Sequence, residues 1–376
     1  MNRGRKDFQS FALPTELSRR RSILQIERYF IQIPRKVKFK FKAHDCPCYN
    51  SPYMARPPIP TEVVIEVTGQ CRLSCTYCTS PDLRAAHVPI NDIIETLDAA
   101  AELKVPAIRF TGGEPLLHPD LRAFLTYAHQ LGFYTIINTS AEEISSSQIR
   151  ILASTINCAL ISLQGYDHGS SEAYTRSPSA FDQKLKNIFA LKALLPVLRL
   201  GTVITPALHG TFPQFAALVK KIAPVSWGLF RPISKAGDIT QMDQAFYRGL
   251  LLNIIRLRKE GIHVEIANAI PLCVSGNINA GKEGCAGAIF DDGHRRIVRD
   301  AKGFFKPSYF INTPLGNDIA TAWAHPLLEQ LDRTDHLPAT CQQCPLLDPC
   351  LGGSRAMSML SGGSFQAADP LFTSPK

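Results

Sequence analysis

The sequence predicts an α/β fold: a partial (β/α)6 barrel followed by a smaller C-terminal α+β domain. Apolar residues make up 45% of the 376 residues and charged residues 19%, so a chain of this length can bury a sizeable core. Between residues 61 and 233, six strand-like segments alternate with helical patterns, whereas short strands and turns follow residue 236. Because strands that alternate with helices form parallel sheets, we expect the first part to be the barrel.

The six strand candidates follow one another in order, each within the length that strands usually have. They are Val63–Val67, Ala107–Phe110, Tyr134–Asn138, Ala159–Leu163, Leu198–Ile204 and Trp227–Arg231. Helical patterns lie near residues 91–103, 119–130, 147–154, 181–194 and 213–222, and another spans about 242–259. Six units are fewer than the eight of a closed barrel. We therefore expect an open barrel with its chemistry at the carboxyl ends of the strands.

Charge and proline content divide the chain further. Residues 1–59 hold 13 Lys or Arg and 4 Asp or Glu, whereas the remainder holds 28 residues of each sign. The Pro-rich segment at 56–60 marks the end of this basic arm. The predicted domains are a basic arm at 1–59, the barrel at 60–235, the C-terminal domain at 236–360 and a flexible tail at 361–376. Because the body has no net charge, we expect it not to bind nucleic acid.

The arm contains two local patterns. A helix candidate lies around Leu17–Phe30, and Lys36–Lys42 alternates lysine with apolar residues, as an exposed edge strand does. One interpretation is a solvated extension that packs on the barrel, and the other is an edge strand that pairs with an acidic peptide. The chain has no apolar run long enough for a membrane span and no visible secretory signal, so we expect a cytoplasmic protein without a membrane partner.

Eleven cysteines without an export signal indicate metal or redox chemistry rather than a disulfide framework. Three of them, Cys71, Cys75 and Cys78, directly follow the first strand. Three thiolates at this spacing can hold three corners of a four-iron, four-sulfur cluster, and the missing fourth thiolate leaves one iron open. The alternative is a structural zinc ion, which would need a fourth ligand nearby.

The CxxxCxxC spacing, with the aromatic Tyr77 before the third cysteine, resembles the radical S-adenosylmethionine (radical SAM) superfamily. The resemblance covers about residues 61–360 and implies a 4Fe–4S cluster whose open iron binds the amino and carboxylate groups of SAM. It also implies the activity, in which reductive cleavage of SAM gives a 5′-deoxyadenosyl radical that takes a hydrogen atom from the substrate. Cys71, Cys75 and Cys78 are then the catalytic and metal-binding residues.

The same resemblance implies SAM-binding residues at the ends of the strands. Gly112, Gly113 and Glu114 resemble the family's GGEP segment, which contacts the SAM amino group. Glycines let the backbone approach a ligand closely, and a glutamate can accept hydrogen bonds from an ammonium group. The other expected SAM contacts are Tyr77, Asn138, Ser140, Ser162, Arg176 and Val203. Arg176 would pair with the SAM carboxylate, and Gln164 stands where an aspartate is commoner.

The segment 341–354 resembles the CX2CX5CX3C segment of SPASM domains, which, like the shorter twitch domains, carry auxiliary iron–sulfur clusters. Ser354 takes the fourth cysteine position, and Ser308 stands where another cysteine is usual. The candidate metal ligands that remain are Cys273, Cys285, Cys341, Cys344 and Cys350. We expect one auxiliary cluster on the last three of these, completed by one of the first two or by Asp348. A structural zinc ion is the alternative.

Two further residues have two interpretations each. Cys158 shares the alternation of Ser162, so it is either a small buried residue or, as in some relatives, a thiol that returns a hydrogen atom during epimerisation. Arg231, at the end of the sixth strand, either binds an anionic substrate group or belongs to a surface ion pair.

The resemblance therefore implies a radical SAM enzyme of the SPASM/twitch branch that oxidises or cross-links a ribosomally made peptide. A dehydrogenase or epimerase of a small molecule, such as a sugar or aminocyclitol, is the first alternative. A non-catalytic zinc protein that binds nucleic acid through its basic arm is the second. The expected partners are the peptide or small-molecule substrate and an electron donor such as flavodoxin or ferredoxin.

Overall fold

A computed structural model describes residues 56–78, 86–178, 180–233, 242–276 and 293–373 of the chain. The predicted helix near 17–30, the predicted strand at 36–42 and Cys285 lie outside these residues and stay predictions, as does most of the basic arm. In the part of the chain that is described, no helix combines the length and the apolar character needed to cross a membrane.

Nine strands of the described residues form one sheet, in the order β7-β6-β5-β4-β3-β2-β1-β8-β9. They are β1 (Glu62–Thr68), β2 (Ala107–Gly112), β3 (Tyr134–Thr139), β4 (Cys158–Ser162), β5 (Val197–Val203), β6 (Ser226–Phe230), β7 (Val264–Ile266), β8 (Arg296–Arg299) and β9 (Phe305–Lys306). Neighbouring strands from β7 to β8 run parallel, and β9 is antiparallel to β8. Strands β1 to β6 are those that the sequence predicts, and they pair in chain order, which confirms the α/β class.

Helices join the strands and cover the sheet. The longer ones are α1 (Ile90–Glu102), α2 (Leu121–Gln130), α3 (Ser146–Thr155), α4 (His168–Thr175), α5 (Phe181–Leu194), α6 (Leu208–Ile222) and α7 (Gln244–Lys259). The short ones are α8 (Ile319–Trp323), α9 (Pro326–Asp332), α10 (Ala339–Gln342), α11 (Leu347–Cys350) and α12 (Arg355–Gly362). The predicted helices form close to their expected ends, except that α6 begins five residues earlier. Helix α4 is absent from the sequence predictions.

The outer face of the sheet is apolar. Ile65 of β1 and Phe110 of β2 are paired in the ladder and fully buried. The Phe110 ring packs on Phe124 of α2, with ring centroids 4.7 Å apart, so these residues face the helices. Because side chains alternate along a strand, the residues between them point into the barrel. The apolar core therefore lies between the sheet and its helices, and the interior is left for other side chains.

Inside the barrel lies a layer of buried charges. Arg109 donates to both carboxylate oxygens of Glu62, at 2.7 and 2.9 Å, and to Asn138 Oδ1 at 3.0 Å. On the other side, Arg199 Nη2 lies 3.7 Å from Glu265 Oε1. Burial alone raises the pKa of Glu62, yet the Arg109 guanidinium holds that pKa below its ordinary value. Each of these charges has an opposite charge beside it, as burial in a medium of low dielectric constant requires.

The C-terminal part returns to the barrel. Strand β7 extends the sheet beyond β6, and β8 pairs with β1, so both belong to the barrel sheet. Asp369 is fully buried and accepts hydrogen bonds from Arg231, at 2.7 and 2.9 Å, and from the Ser354 amide at 2.9 Å. In the tail predicted to be flexible, Asp369 and Leu371 are therefore packed on the protein, because the Asp369 carboxylate neutralises a buried arginine. The domain boundary at 235/236 stays a prediction.

Replacing the Glu62 carboxylate tests how much the buried charges contribute to the stability of the barrel. Glu62→Gln leaves the Arg109 guanidinium buried without a counter-charge, so we expect the free energy of unfolding at pH 7 to fall by about 3–5 kcal/mol. Because the pKa of Glu62 is lowered in the folded protein, this contribution is fully present above about pH 4.5 and is lost as the pH falls below that value. Urea unfolding at several pH values measures it.

Glu260→Gln is the matched control, because its exposed carboxylate pairs with Lys220 at the surface. We expect this variant to unfold like the wild type. A Glu62→Gln protein as stable as the wild type at pH 7 would show that the ion pair does not stabilise the barrel.

Candidate active site

A cavity of about 290 Å³ opens at the carboxyl ends of the parallel strands. Its lining comes from the ends of β1 to β6, from the segments that follow them and from residues 309–310 after β9. Ligand sites of parallel α/β folds lie at this edge, because the loops that follow the strands converge there. The cavity therefore lies where the parallel strands predict the chemistry, and most of the predicted site residues line it.

The segment that carries the three cysteines follows β1 and is held from two sides. On one side, the Gly113 amide donates to the Thr68 carbonyl and the Glu114 amide to the Gln70 carbonyl, both at 2.7 Å. On the other side, the amides of residues 74 and 76 donate to the carbonyls of residues 175 and 174 at the end of α4, both at 3.0 Å. Helix α4 thus has a clear local role, which is to fix the cysteine segment.

The glycines of the GGEP segment are required by this close contact. A β-carbon on Gly113 would lie 2.2 Å from the Gln70 carbonyl oxygen, and one on Gly112 would lie 2.2 Å from the Thr68 carbonyl oxygen. Gly112 also has a φ of +137°, a conformation that other residues rarely adopt. A larger residue at either position would therefore push the end of β2 away from the cysteine segment.

Three thiols line the cavity and form no disulfide: Cys71, Cys75 and Cys78. Burial raises the pKa of Cys71 to about 11, and the neighbouring Glu114, Cys75 and Cys78 act in the same direction. Burial also raises the pKa of Cys75, which is hydrogen-bonded to the Tyr77 side chain. The Lys184 ammonium lowers the pKa of Cys75, but burial outweighs it. Bound metal would supply the missing positive charge, since coordination deprotonates a thiol, so this donor set suits a metal cluster.

Glu114 is tightly held at the cavity wall. Its Oε1 accepts from the Leu116 amide at 3.2 Å and from Thr139 Oγ1 at 2.7 Å. Its Oε2 accepts from the amide and the hydroxyl of Ser140, at 2.8 and 2.7 Å. The carboxylate is therefore fixed in the cavity wall, beside the Ser140 that the sequence analysis also selected.

The other strand ends supply polar groups of two kinds. Asn138 accepts from Arg109 through Oδ1, so its amide nitrogen is left to donate into the cavity that it lines. Gln164 uses both ends of its amide between strands, accepting from the Val203 amide at 3.0 Å and donating to the Gly201 carbonyl at 3.4 Å. Ser162 and Val203 line the same cavity. Gln164 thus links the end of β4 to β5, and both polar atoms of its side chain are already hydrogen-bonded there.

The structure places two cations, Arg176 and Lys184, differently with respect to the cavity. Arg176 follows α4, is exposed with a φ of +50° and does not line the cavity in the described structure. Lys184 of α5 does line it, is fully buried and has its ammonium 3.5 Å from Glu142 Oε1. Burial lowers the pKa of Lys184, and Glu142 opposes that shift. The sequence held a signal for Lys184, because it occupies the apolar stripe of α5 between Phe181 and Ile188.

The structure bears on Cys158 and Arg231, for which the sequence allows two interpretations each. Cys158 is buried among the side chains of Ala107, Tyr134, Ile136 and Val197 and does not line the cavity in the described structure. It is thus a buried residue, and its position gives no support to hydrogen return in an epimerisation. Arg231 lines the cavity, and both of its outer nitrogens are paired with Asp369. The sequence interpretation places an ion pair at the surface, whereas this one is buried.

The C-terminal thiols form a second group. Burial raises the pKa of Cys350 to about 11, and the nearby Cys273 and Cys341 add to the rise. Burial likewise raises the pKa of Cys341, with Cys273 and Cys344 adding to it. Cys341 therefore lies within electrostatic reach of Cys273, Cys344 and Cys350. In the described ranges, however, no three His, Cys, Asp or Glu side chains are close enough to ligate a single metal ion.

The serines that replace cysteines have structural partners. Ser354 caps α12, with its hydroxyl accepting from the Met357 amide at 3.3 Å. Ser308 is fully buried, and its hydroxyl accepts from the amides of residues 310 and 311, at 3.2 and 3.3 Å. Asp348 is exposed. Neither serine hydroxyl is thus held ready for a metal.

Residues 65–221 match the family model of the Radical SAM superfamily. The chain is 25% identical over 169 residues to the AdoMet-dependent heme synthase of Nitratidesulfovibrio vulgaris, a match that covers 44% of this chain and 46% of that enzyme. It is 23% identical over 343 residues to the PqqA peptide cyclase of Methylocella silvestris, covering 83% and 87%. The crystal structure of Streptococcus suis SuiB bound to precursor peptide SuiA aligns with a TM-score of 0.67 at 17% identity, covering 94% and 87%.

These similarities differ in extent. The chain spans less than half of the heme synthase and most of the PqqA peptide cyclase. The likeness to SuiB lies at low identity and shows a shared fold. Together with the family match, it confirms the predicted radical SAM barrel followed by a C-terminal region.

Proposed function

The chain carries a radical SAM domain over residues 65–221, and on this premise we propose that it cleaves SAM reductively and oxidises or cross-links a ribosomally made peptide. The observation that carries the proposal is the cavity in which three free thiols and a fixed glutamate lie together at the ends of parallel strands. A thiol triplet without a fourth local ligand suits a cluster with one open iron.

Different residues of the cavity would bind the cluster and SAM. Cys71, Cys75 and Cys78 would hold a 4Fe–4S cluster. Both Glu114 oxygens already accept two hydrogen bonds each, so Glu114 would attract the SAM amino group by its charge, and the Ser140 hydroxyl beside it would accept a hydrogen bond from that group. Asn138 would donate to the SAM ribose. When bound, the reduced cluster and SAM supply a 5′-deoxyadenosyl radical that takes a hydrogen atom from the substrate.

A peptide is the substrate class that the similarities favour. The match to the PqqA peptide cyclase covers 83% of this chain, and the SuiB structure with the same fold was bound to a precursor peptide. The electron for the reductive cleavage of SAM would come from an external donor such as flavodoxin or ferredoxin.

The C-terminal thiols suit an auxiliary iron–sulfur cluster. Removing a hydrogen atom and then one electron completes an oxidation, so the protein needs a group that accepts this electron. Cys273 and Cys344 add to the rise in the pKa of Cys341, and Cys273 and Cys341 add to the rise in the pKa of Cys350, so these thiols lie near one another. Four thiolates are a usual ligand set for such a cluster, and a single zinc ion is the alternative.

Lys184 is the better candidate for the SAM carboxylate. Lys184 lines the cavity, and Cys75 and Glu114 lie within electrostatic reach of its ammonium, whereas Arg176 is exposed outside the cavity lining. A buried ammonium attracts a carboxylate more strongly than an exposed guanidinium, because less water screens the charges.

Product analysis under anaerobic conditions tests the proposed function. The reconstituted wild type would receive SAM, dithionite and either the peptide fraction or the small-molecule fraction of source cells grown in heavy water. We expect 5′-deoxyadenosine that carries deuterium only with the peptide fraction, because the radical takes its hydrogen atom from the substrate. Mass spectrometry of the product measures this.

A Cys71/Cys75/Cys78→Ala variant is the control and should form no 5′-deoxyadenosine. It should keep about four of the roughly eight irons expected per chain, held by the C-terminal thiols. Deuterium delivered only by the small-molecule fraction would contradict the peptide proposal, and no 5′-deoxyadenosine from the wild type would contradict SAM cleavage itself.

The Lys184 assignment predicts a change in SAM affinity. Glu142→Gln/Lys184→Met removes the ammonium without leaving the Glu142 charge buried alone, and it should weaken SAM binding by roughly 10- to 100-fold through the loss of a charged hydrogen bond. Equilibrium dialysis with labelled SAM measures the affinity, and thermal unfolding checks the fold. Glu142→Gln and Arg176→Met are the controls and should bind SAM like the wild type. Weaker SAM binding by Arg176→Met, with unchanged binding by the Lys184 variant, would assign the SAM carboxylate to Arg176 instead.

A further inference from the structure

The cavity has a second set of lining residues that the proposed SAM site does not use: Glu66, Leu160, Gly201, Phe230, Tyr309 and Phe310. Leu160 and Gly201 lie two residues before Ser162 and Val203 on their strands, and therefore on the same face but deeper in the barrel. This part of the cavity, which we call the inner slot, is where a substrate group would meet the radical.

Aromatic rings form much of the inner slot. A β-carbon on Gly201 would lie 3.0 Å from Phe230 Cε2, and one on Gly228 would lie 3.2 Å from the same atom. The two glycines thus make room for the Phe230 ring inside the barrel. Tyr309 and Phe310 enter the lining from the segment after β9, with ring centroids 6.3 Å apart at an angle of 70°. Walls of this kind favour a flat apolar group over an extended polar one.

The inner slot also has a polar end. Glu66 Oε1 lies 3.2 Å from Lys306 Nζ, and burial raises the pKa of Glu66 although Lys306 opposes the shift. The Tyr309 hydroxyl is buried and has no hydrogen-bond partner among the described residues. A buried hydroxyl without a partner is costly unless a ligand satisfies it.

The charges around this end disfavour a cationic substrate group. Lys306 already neutralises Glu66. The Arg296 guanidinium lies 5.7 Å from the centre of the Tyr309 ring, and Arg109 also acts on the Tyr309 hydroxyl. Both arginines also face the Glu62 carboxylate, at 2.7 and 3.7 Å, so their charges are balanced and the polar end suits a neutral hydrogen-bonding group.

We propose that the inner slot binds the reacting side chain of the substrate, and that this side chain is a neutral aromatic ring with a polar hydrogen, a phenol or an indole. Its ring packs against Phe230 and Phe310, and its O–H or N–H donates to Glu66 or Tyr309. This inference rests on the proposed function, since it names the side chain that a peptide-modifying enzyme would hold beside the radical.

Small blocked amino acids test the inner slot without knowledge of the peptide. Saturation-transfer NMR on the reconstituted full chain would measure the affinities of N-acetyl-tyrosinamide, N-acetyl-phenylalaninamide, N-acetyl-leucinamide and N-acetyl-lysinamide. We expect the tyrosine probe to bind about fivefold more tightly than the phenylalanine probe because of one additional hydrogen bond, and the leucine and lysine probes to bind more weakly still.

Tyr309→Phe removes a hydroxyl that lacks a partner, so this variant should fold like the wild type. In it and in Glu66→Gln, the preference for the tyrosine probe over the phenylalanine probe should shrink or disappear. Tyr127→Phe is the matched control, because Tyr127 donates to Asp98 outside the cavity lining, and it should keep the full preference.

Three results would overturn the inference: leucine or lysine probes that bind as well as the tyrosine probe, a preference unchanged in both slot variants, or no probe binding at millimolar concentration. The 5′-deoxyadenosine assay on the same preparation separates the two proposals. SAM cleavage without an aromatic preference contradicts the inner slot alone, whereas an aromatic preference without SAM cleavage contradicts the proposed function.

Discussion

The candidate site depends on the contact between the glycine end of β2 and the segment that leaves β1. The Gly113 amide donates to the Thr68 carbonyl at 2.7 Å, and the approach is so close that a β-carbon on Gly113 would lie 2.2 Å from the Gln70 carbonyl oxygen. One contact thus fixes the start of the cysteine segment and the position of Glu114. The thiols and the carboxylate face the same cavity because two neighbouring parallel strands end side by side.

Charge pairing inside the barrel determines which polar groups remain for ligands. Arg109 donates to Glu62 and to Asn138 Oδ1, so its guanidinium is already paired. The Asn138 amide nitrogen then faces the cavity as a hydrogen-bond donor. The Arg231 guanidinium is paired in the same way with the Asp369 carboxylate. The groups left to meet a ligand are therefore few, among them Asn138 and the Tyr309 hydroxyl, and these few would set what the cavity binds.

Local patterns predicted β1 to β6 and the cysteine, glycine and glutamate positions, because strand periodicity and motif spacing are properties of neighbouring residues. Helix α4 escaped prediction, since its sequence HGSSEAYT carries no apolar stripe and the cap at Asp167 is its main local signal. The roles of Lys184 and Arg231 depend on tertiary partners. Arg231 is paired with a residue 138 positions away, which no local pattern reveals.

The binding of SAM at an open iron is tested most directly by electron paramagnetic resonance. The sample is the anaerobically reconstituted, reduced Cys341→Ala/Cys344→Ala variant, in which the cluster of Cys71, Cys75 and Cys78 gives the signal alone. Spectra are recorded before and after SAM is added. A changed spectrum on addition of SAM is the expected result, because the ligand set of one iron changes. A signal that SAM leaves unchanged, or no signal in any reconstituted preparation, would contradict the assignment of this cavity to radical SAM chemistry.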